Sequence, residues 1–342
     1  MKNVNAPRWT QRPTRRDCLR IATAAAAAAA AVGLAAAFPL TAAEAPPYEV
    51  LDLDWTDSAR QRAVPARLYL PNLSNSAPNV PLLVFSHGIG GSRNGYSWLG
   101  RHVASRGIAS LHLQHVGSDR QLWTGGSIFD MVGRLQAAAQ EGEAIHRALD
   151  LRFGLDTLLA GPLAGRIDTR CIVAAGHSYG ANTTLLASGA RVVRQGRVVD
   201  LQEPRVKAAV VISAPPFYGH DDPQKILAGV AVPSLHVTAT EDVIRIPGYY
   251  SGVEDRVAVF EATGGPRGPN KWLAVYEGGS HSMFTDRAGT GGVMLNPQVK
   301  AATQTLVVAF MRRVFEADAV ALPAWQRQHA TMLARYEAPT SA

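Results

Sequence analysis

Apolar and polar positions divide this chain into short strand-like runs separated by stretches of helical periodicity. The strand candidates are Glu49 to Asp54, Val64 to Leu70, Val80 to Ser86, Ile108 to His112, Cys171 to Ala175, Ala208 to Ile212, Ser234 to Thr240 and Trp272 to Tyr276. The first two intersperse polar residues, as antiparallel edge strands do. Most of the later ones are nearly continuous apolar runs, as expected of strands covered on both faces. Helical periodicity falls on Trp98 to Arg106, Ile128 to Asp150, Ala181 to Ser188, Pro297 to Phe315 and Trp325 to Tyr336, with Pro297 where a first turn tolerates it. This alternation predicts an α/β fold: a mostly parallel sheet with helices on both faces. Three segments read as excursions from that core. Gln114 to Ile128 holds Trp123 and Gly125-Gly126, Arg191 to Pro204 suits a small hairpin around Gly196, and Gly248 to Lys271 is rich in Gly and Pro. None is long enough for a domain of its own, so no large cap is expected.

The N-terminus departs from this pattern. Thr14-Arg15-Arg16-Asp17-Cys18-Leu19-Arg20 resembles a twin-arginine export motif, with Cys18 where a bulky apolar residue is common. An Ala-rich run from Ile21 to Leu40 follows, and Thr41-Ala42-Ala43 offers the small residues a signal peptidase prefers. Residues 1–43 are therefore expected to be a twin-arginine-type signal peptide, and residues 44–342 a single domain. A retained membrane anchor is the competing reading; Ala is weakly hydrophobic and a cleavage-like site follows at once. The expected location is the periplasm or the exterior, with no stable membrane anchoring once the signal is removed.

That segment also changes the charge picture. The chain of 342 residues is formally +7, but residues 1–43 carry +5 of it, leaving +2. The high pI thus gives little support to a nucleic-acid partner. Only Cys171 lies outside the signal segment, so no intramolecular disulfide is expected in the remainder, and a core role is expected for this thiol.

Chemistry concentrates at Gly176-His177-Ser178-Tyr179-Gly180, a G-x-S-x-G pentapeptide between a strand-like and a helix-like run. A sharp strand-to-helix turn lifts a serine hydroxyl out of the backbone, and flanking glycines let the chain bend that tightly. A serine nucleophile needs a general base, and the base needs a group that fixes its tautomer. In sheets of this kind these follow later strands in the order Ser, acid, His. The run Ser234 to Thr240 ends in Glu241-Asp242, and Trp272 to Tyr276 ends in Glu277-Gly278-Gly279-Ser280-His281. Ser178, Asp242 and His281 are the candidate catalytic residues, with Glu241 competing for the acid; whichever acts should be substantially buried. Oxyanion donors are expected from Tyr179 N–H and from the loop His87-Gly88-Ile89-Gly90-Gly91-Ser92, where Ile89 N–H is the first choice and Gly88 the alternative. His112 and His115 lack the carboxylate or cysteine cluster of a metal site. No phosphate-cradling loop or dinucleotide fingerprint follows a strand in the required way.

Val84 to Arg93 and Gly176 to Ala181 resemble the α/β-hydrolases of the platelet-activating-factor acetylhydrolase type and bacterial predicted dienelactone hydrolases, as do His115 to Asp119 and Gly278 to Phe284. The resemblance spans roughly residues 48 to 316. It implies an eight-stranded, mostly parallel sheet, Ser-His-acid ester hydrolysis without a cofactor, and an oxyanion donor at the residue after His-Gly, here Ile89. Mammalian acetylhydrolases place the acid after the preceding strand, where this chain has Ser213-Ala214-Pro215-Pro216 and no carboxylate. Dienelactone hydrolases use a cysteine where this chain has Ser178. The sequence therefore points to an exported serine hydrolase of small carboxylic esters with short acyl chains. Acyltransferase, peptidase and non-catalytic binding roles remain open, because fold and constellation do not choose the acceptor.

Overall fold

The computed structural model describes residues 47–72, 79–124, 127–219, 222–246, 249–265, 270–287 and 295–339. The expected export signal lies outside these residues, as do Gly125, Gly126 and Gly248. In chain order the elements are β1 (Tyr48–Asp57), β2 (Arg62–Pro71), β3 (Val80–Ser86), α1 (Ser97–Ala104), β4 (Ala109–Leu113), α2 (Ile128–Ala138) and α3 (Glu141–Ala160). Then come β5 (Ile167–His177), α4 (Tyr179–Ala187), β6 (Arg191–Arg194), β7 (Arg197–Asp200), β8 (Val206–Ile212), α5 (Pro223–Leu227) and β9 (Ser234–Glu241). The last are β10 (Ile244–Ile246), β11 (Tyr249–Ser251), α6 (Val253–Ala262), β12 (Lys271–Ser280), α7 (Leu295–Phe315), α8 (Ala321–Gln328) and β13 (Leu333–Glu337).

Among the described residues, nine strands form one sheet in the order β1-β2-β4-β3-β5-β8-β9-β12-β13. The six from β4 to β12 run parallel, while β1, β2 and β13 are antiparallel to their neighbours. Alternate residues of the central strands feed opposite cores, as the period of two requires. Leu83 and Phe85 of β3 face α1 and α7, whereas Leu82 and Val84 face Leu151 and Leu155 of α3. Ala208, Val210 and Ile212 of β8 join the first layer, and Ala209 and Val211 pack with Leu185 of α4 and Val259 of α6. Covering on both faces is why these strands read as unbroken apolar runs.

The architecture departs from the sequence reading in four places. The sheet has nine strands rather than eight, because Leu333–Glu337 leaves the helix expected over Trp325 to Tyr336 and pairs with the edge of β12. The helix expected over Ile128 to Asp150 is two, broken where Gln140 is extended ahead of Glu141 and Glu143. Those acids favour a new helix start, where unpaired N–H groups carry partial positive charge. The Gly- and Pro-rich segment 248–271 contains α6, begun where Gly252 N–H donates to Asp255 Oδ2 at 2.8 Å. Cys171 is only partly buried, because β5 begins at Ile167 and Cys171 directly follows its exposed residues Thr169 and Arg170, with the buried run starting at Ile172. The hairpin around Gly196 forms as β6 and β7, with Gln195 and Gly196 both at positive φ, as a tight two-residue hairpin turn requires.

Candidate active site

Four parallel strands deliver the candidate residues at one edge of the sheet, the edge where open α/β sheets hold ligands. β3 leads to Gly88 and Ile89, β5 to Ser178, β9 to Asp242 and β12 to His281. Ser178 sits between β5 and α4 with φ 56° and ψ −123°, a strained backbone for a residue with a side chain. Its N–H donates to Ile212 O at 2.9 Å, which ties the bend to β8. Gly180 permits the bend because a Cβ there would collide with the carbonyl of Ser86 on β3. At β12, the register slips between Tyr276 and Ser280, bringing Ser280 opposite Glu241. Gly278 and Gly279 absorb this bulge at φ 68° and 87°, and Gly278 N–H donates to Thr240 Oγ1 at 2.7 Å. His281 is thereby set beside Asp242.

The three side chains singled out in the sequence meet in a line. The Ser178 hydroxyl donates to His281 Nε2 at 2.8 Å, and His281 Nδ1–H donates to Asp242 Oδ1 at 2.6 Å. Asp242 is fully buried, while Glu241 is exposed. Thr238 Oγ1 donates to Asp242 Oδ2 at 2.7 Å, and the buried Arg256 of α6 approaches Oδ1 at 3.5 Å. Burial alone would push the Asp242 carboxyl up. The charge and hydrogen bond of His281, with the Arg256 guanidinium, more than offset this and hold it well below the usual carboxylate range.

Backbone donors surround the same point. Gly88 N–H is directed at Tyr96 Oη, 3.4 Å away, Gly90 N–H donates to Ser118 O, and Gly91 N–H to Gly88 O. Ile89 N–H has no hydrogen bond among the described residues. Tyr179 heads α4, where an N–H has no partner within the helix. Both residues border the hollow beside Ser178.

Two buried networks brace these loops, and the sequence reading identified neither. His177 precedes the serine. Its Nε2–H donates to His281 O at 2.9 Å, which leaves Nδ1 to accept from Tyr96 O–H at 2.8 Å. The chain Gly88, Tyr96, His177, His281 thus joins the loop after β3 to the backbone of His281. Burial, with the His281 ring 4.7 Å away, lowers the His177 pKa to about 3, so it is neutral. The second network lies beneath the loop. Ser86 O–H donates to His115 Nε2 at 3.0 Å, and His115 Nδ1–H to Asp150 Oδ2 at 3.1 Å. Arg147 donates to His87 O, to Ser118 Oγ and to Thr183 Oγ1, and its guanidinium lies over the Tyr179 ring. His112 is a core residue, bonded to Ser110 Oγ and Gly95 O. Among the described residues no group of three or more His, Cys, Asp or Glu is placed to hold a metal ion.

Two hollows meet at Ser178 and Ile89. One is an apolar cavity of about 160 Å³ walled by Leu135 of α2, Ile145 of α3, Val192 of the hairpin, and Pro215, Phe217 and Tyr218 after β8. The other is an open groove of about 680 Å³ bordered by His281, Trp123 and polar loop residues. Trp123 and the segment Pro215 to Tyr218 therefore face different hollows.

A family model for platelet-activating factor acetylhydrolase, isoform II, matches residues 64–121. That stretch runs from β2 past β4 and includes the Gly88-Ile89 loop, ending before Ser178. No curated protein matches the sequence. Among solved structures, the ferulic acid esterase from Streptomyces cinnamoneus is similar in fold, with a TM-score of 0.57 and 21% identity, covering 82% of this chain and 96% of that one. The six parallel strands, the bend at Ser178 and this structural likeness give the chain an α/β-hydrolase fold, and residues 64–121 are similar to the platelet-activating-factor acetylhydrolases.

Proposed function

We propose that this chain is an exported serine esterase that cleaves small carboxylic esters through an acyl-enzyme. The hydrogen-bonded line from Ser178 through His281 to Asp242 carries the reading. His281 Nε2 takes the hydroxyl proton as Ser178 Oγ attacks the ester carbonyl. Asp242 holds the Nδ1–H tautomer and stabilises the imidazolium. Ile89 and Tyr179 N–H groups receive the oxyanion. His281 then returns the proton to the departing alcohol, and later deprotonates the water that releases the acid. Neutral His177 packs against this imidazole without adding a second positive charge.

The apolar cavity of about 160 Å³ supports short acyl groups. A dry cavity of about 150 Å³ holds one benzene, so acetyl and butyryl fit and a long chain does not. The twin-arginine-like motif and Ala-rich run support export.

Labelling by a fluorophosphonate and hydrolysis of p-nitrophenyl esters test the chemistry. Ser178→Ala should abolish labelling and lower turnover on the order of a million-fold; near wild-type hydrolysis by that variant removes Ser178 from the mechanism. Acetate and butyrate esters should outpace long-chain ones, and the reverse order overturns the chain-length assignment. A feruloyl ester joins the panel because the structural neighbour is a ferulic acid esterase. Export is tested by fractionation of cells that make the full chain, with cytoplasmic retention the contrary result.

A further inference from the structure

The two hollows at Ser178 differ in chemistry, and His281 borders only the open groove. In acyl transfer the base must hand its proton to the departing alcohol oxygen, so that oxygen lies on the side of the base. The groove is then the seat of the alcohol half, and the apolar cavity the seat of the acyl half. The groove wall carries Arg120, Arg245 and Arg287 against one carboxylate, Asp286. Asp286 Oδ2 is already engaged, accepting from Ser97 N–H at 2.8 Å. Arg287 lies over the Trp123 ring, 5.1 Å from its centroid. The Arg120 and Arg245 side chains are exposed and have no hydrogen bond or ion pair among the described residues. In the apolar cavity the one charged wall residue, Glu141, is paired with Arg194 at 3.2 Å.

We infer that the groove selects esters whose alcohol half carries an anion, with Arg120 and Arg245 as the recognising cations. The inference rests on the esterase reading of Ser178 and narrows its substrate class to an apolar acid joined to an anionic alcohol. A planar guanidinium matches the oxygen pairs of carboxylate and phosphate, and an arginine without an internal partner gives up no existing bond to bind one. Exposed pairs are each worth at most about a fivefold factor, and about threefold at mid-range; because such factors multiply, two arginines together give roughly tenfold.

The test compares butyrate esters of glycerol, glycerate and glycerol 3-phosphate. At low salt the wild-type protein should favour an anionic ester by roughly tenfold in kcat/KM, and salt should erode the preference. In the Arg120→Gln/Arg245→Gln protein the ratio of anionic to neutral kcat/KM should fall towards one. Equal rates for neutral and anionic esters in the wild-type protein, or a preference that survives in the double variant, overturn the inference. A second arm needs no turnover. The Ser178→Ala protein is titrated with glycerol, glycerate and glycerol 3-phosphate by calorimetry, with and without the two arginines. Tighter binding of an anion that disappears with the arginines supports the groove assignment and tells carboxylate from phosphate; equal binding of all three overturns it. Wild-type protein inert to fluorophosphonate instead removes the esterase reading and the division into acyl and alcohol halves, while the binding arm still decides whether the groove takes anions.

Discussion

Replacing Asp242 by Asn separates the charge of the acid from its shape. The carboxylate is fully buried and 2.6 Å from His281 Nδ1, so its charge is poorly screened. Opposite unit charges about 4 Å apart at an effective dielectric near 20 attract by about 4 kcal/mol. Loss of that attraction to the imidazolium slows the acylation step by about a thousandfold. An Asn amide can also present its NH₂ to Nδ1 and so select the wrong tautomer, which brings the expected loss to about ten-thousandfold. Arg256 loses a charged neighbour but keeps its 2.6 Å bond to Ser251 Oγ. The stability loss should therefore stay below the roughly 3–5 kcal/mol of a broken buried pair. The assay is kcat for p-nitrophenyl butyrate on protein whose circular dichroism matches wild type, with Glu241→Gln as the exposed control expected to stay within about twofold. A kcat for Asp242→Asn within tenfold of wild type would refute the assignment of Asp242 as the group that orients and charges the base.

Three further outcomes follow from the same structure. Tyr96→Phe leaves His177 Nδ1 without its donor in a buried site, a cost of about 1–3 kcal/mol; kcat should fall with KM little changed and the pH–rate profile should shift, whereas a merely structural role would lower melting temperature alone. Gly180→Ala drives a Cβ into the Ser86 carbonyl, and fluorophosphonate labelling should drop because α4 and the loop after β3 must separate. Burial lowers His112 to about 4 and His115, His177 and His236 to about 3, below the usual 6.5. The unfolded chain then binds more protons between those values, so each histidine's contribution is intact above pH 6.5 and is lost as pH falls towards its folded value, at up to about 1.4 kcal/mol per pH unit. Chemical denaturation at pH 7 and pH 5 measures this, and equal stability at the two would contradict it.

The parts of the fold legible in the sequence were those whose burial repeats along the chain. The central strands are covered on both faces, so β3, β8 and β9 announce themselves as apolar runs of the right length. Strand β13 could not be found that way. Leu-Ala-Arg-Tyr-Glu is built of good helix formers, with Leu333 and Tyr336 at helical spacing, and only the open edge of β12 makes it a strand. The break at Gln140 lacks Gly or Pro before it, and α6 hides in a segment whose glycines suggested irregular chain. Missing α6 meant missing Arg256. In the candidate site, Ser178, Asp242 and His281 were visible because each follows a readable strand. His177 and Tyr96 were not, since their roles exist only once residues 81 positions apart are brought together. The lone signal for His177 was its place inside the pentapeptide.

The molecule also carries its own control experiment. Ser86, His115 and Asp150 repeat the order of donors and acceptors found at Ser178, at similar spacings, yet all three are sealed inside the protein. Ser86 lies on an ordinary strand and borders neither hollow. Matching hydrogen-bond order is thus cheap for a protein to assemble. What sets one serine apart from its twin is a doorway for a reactant and a kink that points the oxygen at it.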